Sequence, residues 1–322
     1  MIKKLTPILV IGAGSIGMRH LKNLVSLGYN NLAVSDPDKK KLAAVRKIGN
    51  FNLYENVKTV FQKEKPKVVF ICAPTHLHVP LANLALDYDA DIFIEKPLST
   101  TLAGTNSLIK KAKDNNRIAM VACNFLFYKG LQNLQKVVRK RIYGKPLLYR
   151  SANGFYMPLY RKNIHKSYIA KNQTGGGVIL DHTSHPIYYL STLFGNIQKI
   201  VSFVSKKHPL GFQSEEMALL MLEHKNGVIG SISSDYISKR TTHRIEVVTE
   251  NGLLTLDLRS DRLVFEDRKI KKELYRGDKD FNKMFIEEIK YFLNCVKRRA
   301  KPFYGLPEGR DTLKTLIQRR QL

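Results

Sequence analysis

The sequence predicts an α/β chain: a doubly wound parallel sheet, followed by an α+β domain with a large, mainly antiparallel open sheet. Two observations carry this prediction. Buried-type strands alternate with amphipathic helices over about the first 120 residues, which is typical of parallel sheets. From residue 197 onward, strand-like segments follow one another with short turns between them, which is typical of antiparallel sheets. The change in pattern predicts two domains, residues 1–122 and residues 123–322.

The composition is that of a globular protein, with 43% hydrophobic and 25% charged residues. No apolar run approaches the ~18 residues of a membrane span, and the N-terminus leads into a strand without a signal-peptide pattern. We therefore expect a cytoplasmic protein with no membrane partner. Cys72, Cys123 and Cys295 lie far apart in apolar surroundings, which predicts reduced core thiols and no metal site.

The net charge of +27 is large and suggests nucleic-acid binding as one interpretation. No nucleic-acid motif accompanies the charge, so we favour solvated helix faces and expect no nucleic-acid partner. A positive field also raises the rate at which anionic small molecules, such as nucleotide sugars, associate with the protein.

A glycine-rich turn, Gly12-Ala13-Gly14-Ser15-Ile16-Gly17, directly follows the first strand and opens a helix over residues 18–27. The first glycine permits the tight turn, the second lets a pyrophosphate approach the backbone, and the third lets helix and strand pack closely. The helix N-terminus offers its N–H groups to the phosphates. The pattern predicts a Rossmann domain whose cofactor contacts are Gly12, Gly14, Ser15, Ile16 and Gly17.

Asp36 follows the second strand, Leu32–Ser35, and lies 19 residues after Gly17. A carboxylate at this distance accepts hydrogen bonds from the ribose 2′-hydroxyl and repels a 2′-phosphate. The sequence therefore favours NAD(H) over NADP(H) as cofactor. The lysines at positions 39–41 lie nearby and would weaken this preference.

Two further strands, residues 68–73 and 92–95, lead into loops that carry polar or charged residues. The carboxyl ends of parallel strands border the ligand crevice of such a sheet. We therefore expect a second set of cofactor contacts, consisting of Ala73, Pro74, His78, Glu95 and Lys96. For His78, a structural hydrogen bond at the start of a helix is an equal alternative to contact with the nicotinamide.

In the second domain, an acid and a base share one helical face. Asp181 and His185 are spaced i, i+4 after three glycines, although Pro186 disfavours helical geometry at the residue before it. Asp181 as a helix cap and His185 as a core histidine are the alternatives. A basic helix over residues 131–141 precedes this segment, and between them we expect an aromatic-rich loop that contains Phe155, Tyr156, Tyr160 and Tyr168.

Together, these segments resemble the Gfo/Idh/MocA family of oxidoreductases over nearly the whole chain. The resemblance implies an NAD(P)-dependent enzyme in which Lys96, Asp181 and His185 form the catalytic set. The stretch from Tyr156 to residue 170 also looks like members from surface-glycan sugar pathways. The implied substrate is therefore a sugar or nucleotide sugar, with candidate substrate contacts at Asn124, Tyr156, Tyr160 and His182.

The resemblance has two departures. Family members often carry an acid three residues after the histidine, where this chain has Tyr188, and many carry an arginine where this chain has Leu126. A catalytically silent sensor that binds NAD and a sugar is therefore the alternative function, because fold does not fix activity.

The chemistry assigns different roles to the three residues. Histidine has an unperturbed pKa of about 6.5, so His185 is the expected proton carrier, and Lys96 would stabilise charge on the reacting oxygen. Asp181 would orient the substrate or His185. The open sheet face predicts a homodimer or homotetramer.

Overall fold

The structure is a computed structural model that describes residues 6–160, 164–205 and 207–318. The chain forms two compact units. Unit 1 consists of Met1–Ala122 and Phe285–Leu313, and unit 2 of Cys123–Met284 and Lys314–Leu322. The boundary after residue 122 is the predicted one, but the prediction that everything beyond it forms the second domain needs correction, because Phe285–Leu313 returns to unit 1.

The sheet of unit 1 is parallel, with strand order β3-β2-β1-β4-β5-β6. This order is that of the Rossmann fold and confirms the predicted class. The strands β1, β2, β4 and β5 are buried along their whole length, which explains their apolar sequences. The strands are β1 Ile8–Ile11, β2 Leu32–Ser35, β3 Asn52–Tyr54, β4 Val68–Ile71, β5 Asp91–Ile94 and β6 Ala119–Val121.

The helices between these strands are α1 Ser15–Ser26, α2 Lys39–Val45, α3 Val57–Glu64, α4 His78–Asp87 and α5 Thr105–Asp114. The helix α1 begins three residues before the predicted start, at the second half of the glycine-rich turn. The helix α5 begins at Thr105, directly after Gly104, whose φ of +74° lies outside helical geometry.

The C-terminal segment belongs to unit 1 because it packs on the parallel sheet. The ring of Phe292 lies 5.6 Å from that of Phe70 and 5.4 Å from that of Phe93. Arg299 donates to the carboxylate of Asp91 at 2.6 Å, at the start of β5. These contacts involve residues about 200 positions apart, which no local pattern in the sequence reveals.

The sheet of unit 2 has eight strands in the order β14-β13-β12-β11-β7-β10-β9-β8. The pair β7 and β10 is parallel and the other neighbours are antiparallel, which confirms a mainly antiparallel sheet. The strands are β7 Pro146–Tyr156, β8 Ile197–Val204, β9 Met217–His224, β10 Ile229–Asp235, β11 Ile237–Thr249, β12 Gly252–Asp257, β13 Arg262–Glu266 and β14 Lys271–Arg276.

The strand β7 corrects the predicted aromatic-rich loop, because Phe155 and Tyr156 end a central strand of the sheet. The buried positions of this strand include Ser151 and Asn153, whose side chains hydrogen-bond to one another. A strand whose inward residues are polar lacks the apolar alternation by which strands are recognised, and this explains the error.

The remaining helices are α6 Lys129–Arg139, α7 Met157–Tyr160, α8 Ser184–Phe194, α9 Asn282–Arg298 and α10 Leu306–Ile317. A single π-helical turn, Ile179–Thr183, leads into α8. None of the helices within the described residues is long and apolar enough to cross a membrane. The three cysteines are buried and free, as predicted.

The sheet of unit 2 exposes apolar side chains from β8 and β9. Val201, Phe203, Leu219 and Met221 are each between 49% and 67% exposed, and they pair across the two strands. This is an open sheet face of the predicted kind. The association of copies through it stays a prediction.

Candidate active site

The glycine-rich turn is shaped by close backbone contacts. Gly12 has a φ of +97°, and a Cβ added there would lie 2.6 Å from the carbonyl oxygen of Cys72. A Cβ on Gly17 would lie 1.9 Å from the carbonyl oxygen of Gly12. Gly14 differs, because a Cβ added there would meet no atom within 4 Å. The turn is therefore closed at Gly12 and Gly17 and open at Gly14.

The open side of the turn is the N-terminus of α1. The helix begins at Ser15, and its N-cap residue is Gly14, which has no side chain to cap the first N–H groups. Ser15 is exposed and Ile16 is half-buried. Helix N–H groups beside an open glycine backbone form an anion site, and this geometry fits the pyrophosphate of a dinucleotide.

Asp36 supports this turn from the end of β2. Its carboxylate is buried, and it accepts hydrogen bonds from the N–H of Ala13 at 2.8 Å and the N–H of Asp38 at 2.9 Å. The Nζ of Lys41 lies 3.4 Å from Oδ2. A carboxylate has about four acceptor positions, so the two backbone bonds leave capacity for ribose hydroxyls.

His78 connects two loops through its ring nitrogens. The ring is 1% exposed, with Nδ1 at 2.9 Å from the carbonyl oxygen of Pro97 and Nε2 at 2.9 Å from that of Ala73. Burial disfavours the imidazolium and lowers the pKa of His78. The neutral ring carries one N–H, which donates to one of these two carbonyl oxygens, and this internal bond favours the structural alternative for His78. The other two predicted contacts of this loop follow the end of β4, where Ala73 is half-buried and Pro74 is exposed.

Glu95 is directed into the core of unit 1, which differs from the cofactor contact predicted for it. Its Oε1 lies 2.6 Å from Nε2 of His20, a fully buried histidine on α1. Burial acts to raise the pKa of Glu95, but the hydrogen bond and charge of His20, with the charge of Lys96, outweigh burial and lower it. Glu95 therefore acts as a buried partner of His20.

Lys96 lies two residues beyond the end of β5, and its side chain is half-buried. Its backbone N–H donates to Oε2 of Glu95 at 3.2 Å, and the peptide bond to Pro97 is cis. Since β5 neighbours β4 and both run parallel to β1, Lys96 lies at the same sheet edge as Ala73 and the glycine-rich turn.

Asp181 lies in the π-helical turn of unit 2 and accepts two tyrosine hydroxyls. Tyr168 donates to Oδ1 at 3.0 Å and Tyr236 donates to Oδ2 at 3.0 Å. Burial raises the pKa of Tyr236 well above its ordinary value, and the negative charge of Asp181 adds to this effect. Tyr236 therefore remains a donor, and the two tyrosines fix the orientation of the carboxylate.

His185 lies in the first turn of α8 with its ring against Phe125. The ring centroids are 4.9 Å apart, and the contact is edge-to-face. Its Nδ1 lies 3.0 Å from the hydroxyl oxygen of Tyr188, one turn further along the helix. The imidazole is therefore held from two sides, by an aromatic ring and by a hydroxyl group.

The four candidate substrate residues differ in their exposure to solvent. Asn124 is buried and hydrogen-bonded to Tyr188, so the structure gives it an internal contact where a substrate contact was predicted. Tyr156 and His182 are half-buried, and the ring of His182 lies 6.3 Å from that of His185. Tyr160 is 62% exposed.

Several residues around Asp181 and His185 were not assigned to the site from the sequence. Tyr236 lies 55 residues after Asp181, and Phe125 lies 60 residues before His185. Tyr168 was noted only as an aromatic. A lone aromatic residue in a strand or loop carries no sign of its partner, so only the fold reveals these contacts. Within the described residues, no group of three or more acidic, histidine or cysteine side chains is arranged to hold a metal ion.

Residues 7–123 match the family profile described as the oxidoreductase family with an NAD-binding Rossmann fold. Residues 131–255 match the profile described as the GFO/IDH/MocA C-terminal domain. The chain belongs to the GFO/IDH/MocA oxidoreductase family. The resemblance stated from the sequence is thereby confirmed.

Relatives of this GFO/IDH/MocA protein act on polyols and sugars. The myo-inositol 2-dehydrogenase of Thermotoga maritima is 26% identical over 318 residues, which are 94% of this chain and 92% of the relative. Two solved structures share the fold. A levoglucosan dehydrogenase in complex with NADH and levoglucosan has a TM-score of 0.87 and 18% identity, and covers 97% of this chain and 96% of its own. A UDP-N-acetylglucosamine 3-dehydrogenase from Acidithiobacillus ferrooxidans has a TM-score of 0.81 and 19% identity, with coverages of 98% and 96%.

Proposed function

We propose that this protein is an NAD-dependent dehydrogenase that interconverts a secondary alcohol and a ketone on a sugar or nucleotide sugar. The catalytic residues in this proposal are Lys96, Asp181 and His185. The relatives that act on inositols and sugars support the substrate class. The net charge of +27 supports an anionic substrate such as a nucleotide sugar, because a positive field speeds its association.

The preference for NAD(H) over NADP(H) rests on Asp36. Its carboxylate is fixed by the N–H groups of Ala13 and Asp38, so it cannot turn away from a ribose 2′-phosphate. The repulsion of that phosphate is reduced, but not removed, by Lys41, whose side chain is 48% exposed. The preference should therefore be for NAD(H) but modest in size.

In the oxidative direction, NAD held at the glycine-rich turn and Asp36 would supply the acceptor for the hydride of the carbinol C–H. His185 would accept the hydroxyl proton as the alcohol is oxidised to a ketone. Lys96 donates a hydrogen bond to the reacting oxygen and stabilises the negative charge that develops there. Asp181, fixed by two tyrosines, accepts a hydrogen bond from a neighbouring substrate hydroxyl.

The observation that carries the proposal is the way His185 and Asp181 are held. Each has a side-chain partner at 3.0 Å that restricts its orientation. A core histidine or a helix cap needs no such arrangement of tyrosines, whereas a proton carrier works only in a fixed orientation.

The proposal is tested by incubating the purified protein with NAD⁺ and a panel of inositols, sugars and nucleotide sugars while NADH formation is followed. With an accepted substrate, His185→Ala should lower turnover by about 10²–10⁴-fold, the usual contribution of general acid–base catalysis. Lys96→Met should also remove most turnover and keep part of the NADH affinity. His208→Ala, at an exposed histidine of the same unit, is the control and should keep wild-type turnover.

An unchanged rate in His185→Ala would exclude His185 as the proton carrier. Binding of NADH and a sugar without turnover by the wild-type protein would instead support the sensor function, which Tyr188 and Leu126 leave as the second candidate.

A further inference from the structure

Tyr188 occupies the position three residues after His185, and its hydroxyl makes three contacts inside unit 2. The hydroxyl oxygen lies 3.1 Å from the backbone nitrogen of Phe125, 3.1 Å from Oδ1 of Asn124 and 3.0 Å from Nδ1 of His185. The side chain of Tyr188 is 1% exposed. The hydroxyl is therefore held in place by groups from another element of the unit.

The chemistry of these contacts determines where the protons lie. A backbone N–H can only donate, so the Tyr188 oxygen accepts from Phe125. A side-chain carbonyl can only accept, so the single hydroxyl proton goes to Oδ1 of Asn124. The amide nitrogen of Asn124 points to the sulfur of Met284 at 3.6 Å, which is consistent with this orientation of the amide. The bond with His185 must then be donated by Nδ1.

We propose that Tyr188 is a positioning residue that keeps His185 in the tautomer with its proton on Nδ1, so that Nε2 presents its lone pair as the base. This inference rests on the proposed function and adds to it a proton chain from His185 to Tyr188 to Asn124. The tautomer of a histidine is set by the partner of its other nitrogen, which here is a tyrosine and not an acid.

A tyrosine serves this purpose differently from a carboxylate. A carboxylate accepts from Nδ1 without help, because it has no proton of its own at neutral pH. A tyrosine hydroxyl can either donate or accept, so it selects one tautomer only if another group takes its proton. Asn124 is that group, and Asn124 and Tyr188 together do what an acid would do alone.

The inference is tested first without any turnover. In the NADH-loaded protein with ¹⁵N-labelled histidine, the ¹⁵N shifts of the two ring nitrogens show which one carries the proton, and His185→Gln assigns the signals. The wild-type ring should be the Nδ1–H tautomer at a pH where His185 is neutral. Asn124→Leu removes the acceptor of the tyrosine proton, so Tyr188 should donate to Nδ1 and the ring should change to the Nε2–H tautomer.

The kinetic test uses Tyr188→Phe and Asn124→Leu. Loss of one hydrogen bond that orients the base should lower kcat about tenfold and leave KM and NADH affinity within about twofold of wild type. A merely structural role would lower stability and change KM and kcat together. Tyr189→Phe is the matched control: it removes a buried hydroxyl from the next residue, whose partners are Ser151 and Asn153, and it should keep the wild-type kcat and tautomer.

An Nε2–H tautomer in the wild-type protein, or an unchanged tautomer in Asn124→Leu, would overturn the inference. So would a Tyr188→Phe variant with wild-type kcat. A wild-type protein that shows the Nδ1–H tautomer but oxidises no substrate would leave the proton chain standing and remove the proposed function, so the two failures are distinguishable.

Discussion

The two units build their functional residues in different ways. In unit 1, six consecutive residues form the glycine-rich turn, and its geometry is decided by the backbone contacts of Gly12 and Gly17. In unit 2, Asp181 and His185 are held by side chains from Tyr168, Tyr236 and Tyr188. Backbone geometry follows from local sequence, whereas a network of side chains depends on the whole sheet.

The difference has a consequence for mutational sensitivity. A side-chain atom added to a closed backbone turn has no space to occupy, so it lowers the stability of the fold strongly and weakens cofactor binding as well. A hydroxyl removed from a side-chain network leaves the fold in place and changes the orientation of one group. We therefore expect large effects on stability in unit 1 and smaller, more selective effects on catalysis in unit 2.

The largest effect is expected for Gly17→Ala. Its Cβ would lie 1.9 Å from the carbonyl oxygen of Gly12, so the turn must open. We expect a destabilisation of about 3 kcal/mol or more and a loss of NADH binding, measured by urea unfolding and by NADH fluorescence titration.

The matched variant is Gly14→Ala, which meets no atom of the protein. It should keep the wild-type unfolding midpoint but weaken NADH binding about tenfold or more, because the methyl group fills the space through which a phosphate approaches. Wild-type NADH binding by Gly17→Ala would contradict the view that the turn is closed at this position.

A smaller and more selective effect is expected for Tyr236→Phe. This change removes one of the two donors to Asp181, and hydrogen bonds to charged groups contribute about 1.5–3 kcal/mol. Because the second tyrosine still holds the carboxylate, we expect kcat/KM to fall about tenfold with NADH affinity unchanged, measured in initial-rate assays.

Tyr149→Phe is the control for this prediction, since Tyr149 is equally buried in the same sheet but contacts His224. It should lower stability without lowering kcat/KM. Equal losses of activity in both variants would show that the network around Asp181 has no special role.

The last effect is confined to acidic pH: it is a pH dependence of stability that both units share. Burial lowers the pKa of His78, His224 and His243, the last to about 4. In the unfolded chain these histidines take up protons as the pH falls below about 6.5, whereas in the folded chain they stay neutral to lower pH. The stability of the fold is therefore fully present above pH 6.5 and is lost as the pH falls toward 4.

For His243 we expect a loss of about 2 kcal/mol over this window, allowing for its partial exposure to solvent. His243→Gln should show a shallower decline of the urea unfolding midpoint between pH 6.5 and pH 4. The same slope in the variant and in wild type would mean that His243 is not buried as a neutral base.

The accuracy of the sequence-based predictions also differs between local backbone features and features that depend on side-chain packing. The strand Leu32–Ser35 was predicted to the residue, because a continuous apolar run between turn signals has few other interpretations. The strand β7 was missed because its buried positions carry Ser151 and Asn153. The place of helix α9 in unit 1 depends on Phe292 meeting Phe70 and Phe93, which no local pattern predicts.

The sequence by itself determined the Rossmann class, the glycine-rich turn and the acid after β2, and it marked Lys96, Asp181 and His185 as candidate catalytic residues. These features depend on residue type and on short spacings, which can be read directly from the sequence. Only the tertiary structure decided that Glu95 pairs with His20, that His78 lies between two loops, and that the hydroxyl of Tyr188 donates a hydrogen bond to Asn124. These are contacts between residues up to 75 positions apart, and their partners are set by the packing of strands and helices.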